Sequence, residues 1–167
     1  NPYHQQLYYQ ALDEQRPTLL TAELLHHQVS LSVDQQLFVD NASDLQQPTV
    51  TLLRSLADGQ VLDTLAQAEL SKIKQKGWEP PLAFSTVARD GETTIYGAVW
   101  RPTNFDPGKS YPVIDHSYTG PHTQVFPRDF RRTLTVSNQA LAELGFIVIM
   151  VDGLGSARRS KAFHDWS

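Results

Sequence analysis

The sequence predicts a mixed fold, with a β-rich N-terminal half followed by an α/β half, and three observations carry that reading. Residues 1–62 are short alternating or β-branched runs separated by turn chemistry, with no helix signal. Composition changes at Asp63, where a helical pattern begins and runs to a stiff Trp78-Glu-Pro-Pro81 joint. Beyond the joint, a helical stripe leads into the continuous apolar run Phe146-Ile-Val-Ile-Met-Val151, bounded by Gly145 and Asp152-Gly153. A strand, a helix and a buried strand in that order make a parallel crossover.

The elements follow in order. Gln6 to Leu12 and Thr18 to Leu20 are extended segments on either side of the turn Asp13-Glu-Gln-Arg-Pro17. His27 to Val33 alternates, placing Val29, Leu31 and Val33 on one face, and Asp34-Gln-Gln36 turns the chain into Leu37-Phe-Val-Asp40. Pro48 to Leu53 and Gln60 to Leu62 flank the turn Ala57-Asp-Gly59. This spacing fits a propeller blade, a sandwich or a barrel, and no repeat of about 40 to 50 residues marks successive complete blades. Asp63 caps a predicted helix from about Thr64 to Lys76, with Ala66, Leu70 and Ile73 on one face and Gly77 as its stop. Leu82 to Ala88 and Thr93 to Arg101 form an antiparallel hairpin through Asp90-Gly91. After the loop 102–109, Tyr111 to Ser117 is extended, and residues 119–130 are irregular. Leu134, Ser137, Ala140, Leu141 and Leu144 make a helical stripe capped by Gly145, and the run 146–151 reads as a strand buried on both faces. The domain organisation is therefore 1–62, a linker helix and joint over 63–81 with the boundary near residue 79, and 82–167.

Composition bounds the partners. A formal net charge of -4 with 14 Lys and Arg gives no electrostatic footprint for nucleic acid or an anionic membrane. No apolar run reaches the roughly 20 residues that span a bilayer. The chain has no cysteine, so neither a disulfide framework nor a thiolate metal site is available. Asn1-Pro-Tyr-His4 is neither an initiator methionine nor a signal peptide, which places the expected N-terminus upstream. No metal or other cofactor is expected. Of the six histidines, the adjacent His26 and His27 point to opposite faces of a strand and cannot readily chelate one ion. Asp115 and His116 meet the same objection, His164-Asp165 reads as a connecting segment, and hydrogen-bonded or solvated histidine is the expectation for all six. Arg128, Arg131, Arg132, Arg158 and Arg159 read as surface charges.

The residues themselves carry a resemblance. Leu19-Leu-Thr21, His26-His27, Ser30-Leu-Ser32, Phe38 to Ser43 and Gly77-Trp-Glu-Pro-Pro81 are followed by Asp90-Gly91, Ile95-Tyr-Gly97, Arg101-Pro102 and Asn104-Phe-Asp-Pro107. Tyr111-Pro-Val113, Tyr118-Thr-Gly-Pro121 and Asp152-Gly-Leu-Gly-Ser156 then complete the series. In this order and spacing the chain resembles the dipeptidyl peptidase IV branch of the prolyl oligopeptidase family of serine peptidases. The resemblance implies a fragment in which 1–62 ends a β-propeller and 82–167 begins an α/β-hydrolase sheet. It implies a parent that takes peptide substrates, removes N-terminal dipeptides (typically Xaa-Pro) and works in the periplasm or outside the cell. Leu154 departs from the family pattern, where arginine commonly follows Asp-Gly, so no ion-pair network carries over to that loop.

By the same resemblance Tyr118 is the catalytic residue of this chain. It follows the third strand of the sheet, where α/β-hydrolases place part of the oxyanion hole, and its hydroxyl implies a donor to the developing oxyanion. A surface aromatic is the alternative for a tyrosine in that position. No Gly-x-Ser-x-Gly elbow occurs in the chain, and Gly153-Leu-Gly-Ser-Ala157 has the wrong spacing. Residues 1–167 alone are therefore expected to be inactive. A non-catalytic interaction protein on the same scaffold, or an endopeptidase or acylaminoacyl peptidase of the wider family, are the other readings. A downstream elbow separates the first of these from an enzyme. Self-association is expected from strand 146–151, read as an apolar edge.

Overall fold

The computed structural model of the chain describes residues 2–13, 15–118, 120–135 and 137–167. Glu14, in the predicted turn 13–17, and Thr119, in Tyr118 to Pro121, lie outside the described residues. The chain divides into two compact units, Tyr3–Glu69 with Arg128–Phe130, and Leu70–Pro127 with Arg131–Ser167. The fold is mixed and β-rich, as the sequence predicts.

The first unit opens with a short antiparallel pair, β1 (Tyr8–Tyr9) and β2 (Thr18–Leu19). It continues as a four-stranded antiparallel meander, β3 (His26–Leu31), β4 (Leu37–Ser43), β5 (Val50–Ser55) and β6 (Val61–Gln67). The predicted turn at 34–36 forms. Asp34 Oδ1 accepts from Ser32 Oγ at 2.6 Å and from the Gln36 amide at 3.2 Å, closing the β3–β4 connection. On β4 the pleat buries Phe38, Asp40 and Ala42. Their cross-strand partners put His27, Val29 and Leu31 on the same face, so the alternation predicts the right face. It overestimates depth: His27 is buried, Leu31 is 54% exposed, and Val33 is fully exposed in the turn.

The predicted helix over 64–76 is replaced by strand β6 and a single helical turn, α1 (Ser71–Lys74). The free side of β5 takes up residues 61–67, pairing Leu53 with Asp63 and Leu52 with Thr64. Asp63 Oδ1 accepts from the Thr64 amide within that strand, and so caps no helix. Ladder bonding by the β-branched Val61 and Thr64 outweighs a helical propensity that amounts to tenths of a kcal/mol per residue. Gly77 does stop the helical turn, at φ +82°.

The second unit holds a four-stranded mixed sheet in the order β7 (Leu82–Val87), β8 (Thr94–Trp100), β10 (Ile147–Asp152), β9 (Val113–Asp115). The helices α2 (Phe130–Thr135), α3 (Asn138–Glu143) and α4 (Lys161–His164) complete the element set. β7 and β8 form the predicted hairpin. Asp90 accepts from the amides of Glu92 and Thr93 and from the Thr93 hydroxyl, which fixes the turn at Gly91. β9 and β10 run parallel with Val113 opposite Ile147, the predicted crossover. Gly97 of β8 must be glycine for space, because a Cβ there would lie 2.3 Å from the Phe84 ring and 2.8 Å from the Met150 carbonyl.

Three expectations change here. Strand 146–151 is central, flanked by β8 and β9, and the apolar edge belongs to β9, whose Val113 is 60% exposed. Its two faces also differ: Val148, Met150 and Asp152 are buried, while Ile147, Ile149 and Val151 are half-buried. The register aligns Val148 with Trp100 and Met150 with Ala98, so one face of β8 and β10 forms the apolar layer. Finally, the stripe through Leu134, Ser137, Ala140, Leu141 and Leu144 does not face the core, since Leu144 is 75% exposed and Asn138 and Ala142 are the buried residues of α3. The helical region is two short helices, which breaks the single 3.6-residue register that the stripe assumed. Gly145, at φ +100°, ends α3 as predicted.

Candidate active site at the carboxyl end of the parallel strands

In open α/β sheets, ligands bind beyond the carboxyl ends of the parallel strands. β9 and β10 are the parallel pair, and Asp115-His-Ser-Tyr118 and Asp152-Gly-Leu-Gly-Ser156 leave those ends. Tyr118 is 58% exposed, and among the described residues its hydroxyl meets no hydrogen-bond partner. Its ring meets the His122 imidazole edge-on, with centroids 6.0 Å apart at 69°. A hydroxyl so placed is free to donate to a bound group.

The segment around Tyr118 is tied down on both sides. The His116 amide donates to the Ile149 carbonyl at 2.9 Å, extending the β9–β10 ladder, and the Val151 amide donates to Ser117 Oγ at 2.9 Å. Ser117 Oγ donates in turn to Asp115 Oδ1, which also accepts from the Ser117 amide at 3.1 Å. His116 Nδ1 bonds the buried Asn138 Oδ1. Downstream, the Thr123 amide donates to the Gly120 carbonyl at 3.1 Å, so Gly120 and Pro121 sit in a turn, as expected. The fully buried Asp152 carboxylate accepts from the Val125 amide at 2.7 Å and the Phe126 amide at 3.0 Å. His164 Nε2 donates to the Pro121 carbonyl at 2.9 Å, and the Ala157 amide to the Thr123 carbonyl at 2.7 Å.

Sequence reasoning singled out Tyr118, passed over Ser117, and weighed Asp115 only as a metal ligand. The signal for them was the i, i+2 spacing at a strand end, which puts an Asp and a Ser on one side, where the carboxylate can close an Asx-turn. Ser156 is buried in the loop after β10, where its Oγ has no hydrogen-bond partner among the described residues. Arg159 donates to the Thr94 carbonyl and lies over the Phe163 ring at 4.3 Å, a packing role. A cleft of about 190 Å³ in this unit is lined by Gly77, Glu79, Val99, Arg101, Thr103 and Phe105, and not by Tyr118.

In the first unit, the polar residues close on one another. The Asp40 carboxylate bonds His27 Nδ1 at 2.8 Å and forms an ion pair with Arg54, whose Nε lies 2.9 Å away but out of hydrogen-bond alignment, and Arg54 also reaches Glu23 Oε1 at 2.7 Å and the Gly59 carbonyl at 3.1 Å. Burial opposes the charged form of His27, but its bond to Asp40 prevails and raises its pKa. Burial likewise opposes ionisation of Glu23, and the Arg54 bond prevails and lowers its pKa. His26 goes the other way: burial first, then the Arg128 charge, push it down to about 4, and its Nδ1 accepts from the Gln5 amide at 3.2 Å. Both histidines are hydrogen-bonded residues, in keeping with the expectation. Among the described residues no three His, Asp or Glu side chains gather as a metal site.

No family model matches the chain. Dipeptidyl peptidase 8 of mouse and of human are each 34% identical over 86 residues, covering 52% of this chain and 10% of the relative. Its homologues are dipeptidyl peptidases. Probable dipeptidyl-aminopeptidase B of Penicillium rubens, a further homologue, is 38% identical over 88 residues, 53% of this chain and 9% of the relative. The crystal structure of a candidate dipeptidyl aminopeptidase IV from Bacteroides ovatus superposes with a TM-score of 0.73 at 26% identity, covering 89% of this chain and 21% of that one. The match thus spans about a tenth of the length of the mouse, human and Penicillium relatives and about a fifth of the Bacteroides chain.

Proposed function

We propose that this chain is a segment of a serine exopeptidase that removes N-terminal dipeptides, typically Xaa-Pro, and that Tyr118 donates a hydrogen bond to the oxyanion of the acyl-transfer transition state. The observation that carries the reading is the exposed Tyr118 hydroxyl at the carboxyl end of the parallel strands, in a chain homologous to dipeptidyl peptidases. Attack on a peptide carbonyl moves negative charge onto its oxygen, and a fixed O–H donor stabilises that charge more than it stabilises the neutral substrate. The meander of the first unit fits the last blade of a β-propeller. The hairpin, crossover and central strand of the second fit the opening strands of an α/β-hydrolase sheet, a fold whose nucleophile stands on an elbow after a later strand.

Residues 1–167 therefore carry a transition-state donor without the nucleophile it serves. Purified residues 1–167 are expected to leave a dipeptidyl-proline chromogenic substrate uncleaved above contaminant controls, while the whole protein releases the dipeptide. Cleavage by residues 1–167 alone, or none by the whole protein, contradicts the reading.

A further inference from the structure

We propose that Ser117 is a positioning residue for Tyr118, acting as a side-chain stop on the β9–β10 ladder; the inference rests on the oxyanion reading of Tyr118. The Ile147 amide donates to the Pro112 carbonyl, and the parallel register pairs Ile149 with Asp115. Stepping by two, as a parallel ladder does, the Val151 amide should next meet the carbonyl of residue 116. It donates instead to Ser117 Oγ at 2.9 Å. The hydroxyl thus occupies the acceptor position of the ladder, and the main chain leaves the sheet after the His116 amide, whose bond to the Ile149 carbonyl is the last of the ladder before Tyr118.

The same hydroxyl donates to Asp115 Oδ1, which also holds the Ser117 amide at 3.1 Å. Only a group that donates and accepts at once can close this arrangement, which among the side chains that fit on a strand means serine or threonine. Deleting it leaves the Val151 amide without its acceptor and unties the main chain just before Tyr118, so the ring is no longer held in place. Displacement of a catalytic group by about 1 Å costs up to roughly a hundredfold in rate, so a brace one residue away is felt in turnover.

The test places Ser117→Ala, Ser117→Thr, Tyr118→Phe and the double variant Ser117→Ala/Tyr118→Phe in the whole protein. It reads kcat and KM separately on a dipeptidyl-proline substrate, with hydrogen exchange of the peptide containing Val151. Ser117→Ala is expected to lower kcat about tenfold with KM within about twofold, to expose the Val151 amide to exchange, and to add nothing once Tyr118 is phenylalanine. Ser117→Thr is expected to restore both kcat and protection. Independent, multiplying losses in the double variant overturn the positioning role, and a Val151 amide still protected in Ser117→Ala overturns the brace itself. Undiminished turnover in Tyr118→Phe alone overturns the oxyanion reading, and with it the catalytic consequence of Ser117, whatever the exchange result.

Discussion

The two four-stranded sheets of this chain put their polar residues to opposite uses. In the meander of the first unit, His27, Asp40, Arg54 and Glu23 are turned onto one another, and the first three are buried. In the mixed sheet of the second unit, the apolar layer of Ala98, Trp100, Val148 and Met150 leaves polar groups to the strand ends. There Asp115, Ser117 and Asp152 hold loops, and Tyr118 is presented outward. Charge enclosed by partners specifies a fold, whereas a donor without a partner is available for chemistry. The same residue types thus mean different things in the two sheets, and the number of hydrogen bonds each one completes tells them apart.

The largest expected effect breaks the first half of this comparison. Asp40→Asn removes the buried carboxylate between His27 and Arg54, leaving only the half-exposed Glu23 to face them, and should destabilise the protein by about 3 kcal/mol in urea unfolding, with turnover per folded molecule unchanged. Next comes a pH limb. Because His26 has a folded pKa of about 4, below its ordinary 6.5, its contribution is complete above pH 6.5 and is lost as pH falls through 4. His27, with its pKa raised, contributes fully below pH 6.5 and loses that contribution as pH rises through its folded value. His26→Gln should therefore flatten the acid limb of a stability profile and His27→Gln the alkaline one; an unchanged acid limb in His26→Gln contradicts the assignment. In the second sheet, Gly97→Ala should cost about 1 to 3 kcal/mol by pushing the Phe84 ring off β8, with thermal unfolding as the check. The smallest effect concerns residues 1–167 in isolation, which are expected to associate through the open β9 edge. Sedimentation that shows only monomer across a wide concentration range counts against it.

Much of this arrangement was legible in the sequence where local chemistry decides it. Asp90-Gly91, Asp34-Gln-Gln36 and Gly145 encode their own turns and cap, and the apolar run before Asp152 could only be a buried strand. Residues 63–67 were not legible, because their conformation is set by the vacant side of β5 and not by their own propensity. The buried network was equally hidden: Asp40 and Arg54 lie far apart in sequence and meet as diagonal neighbours across two strands, a relation fixed by register. At the candidate site, Tyr118 was found through its motif. Its support from Ser117 became visible only when Val151 was seen to bond a side chain in place of the ladder.

The most direct test of the account reads kcat and melting temperature side by side for Tyr118→Phe in the whole protein. An outward-facing phenol that donates only in the transition state predicts a loss of about a hundredfold in kcat, with the melting temperature unchanged. Near-normal turnover, or a loss that merely follows a lowered melting temperature, would contradict it.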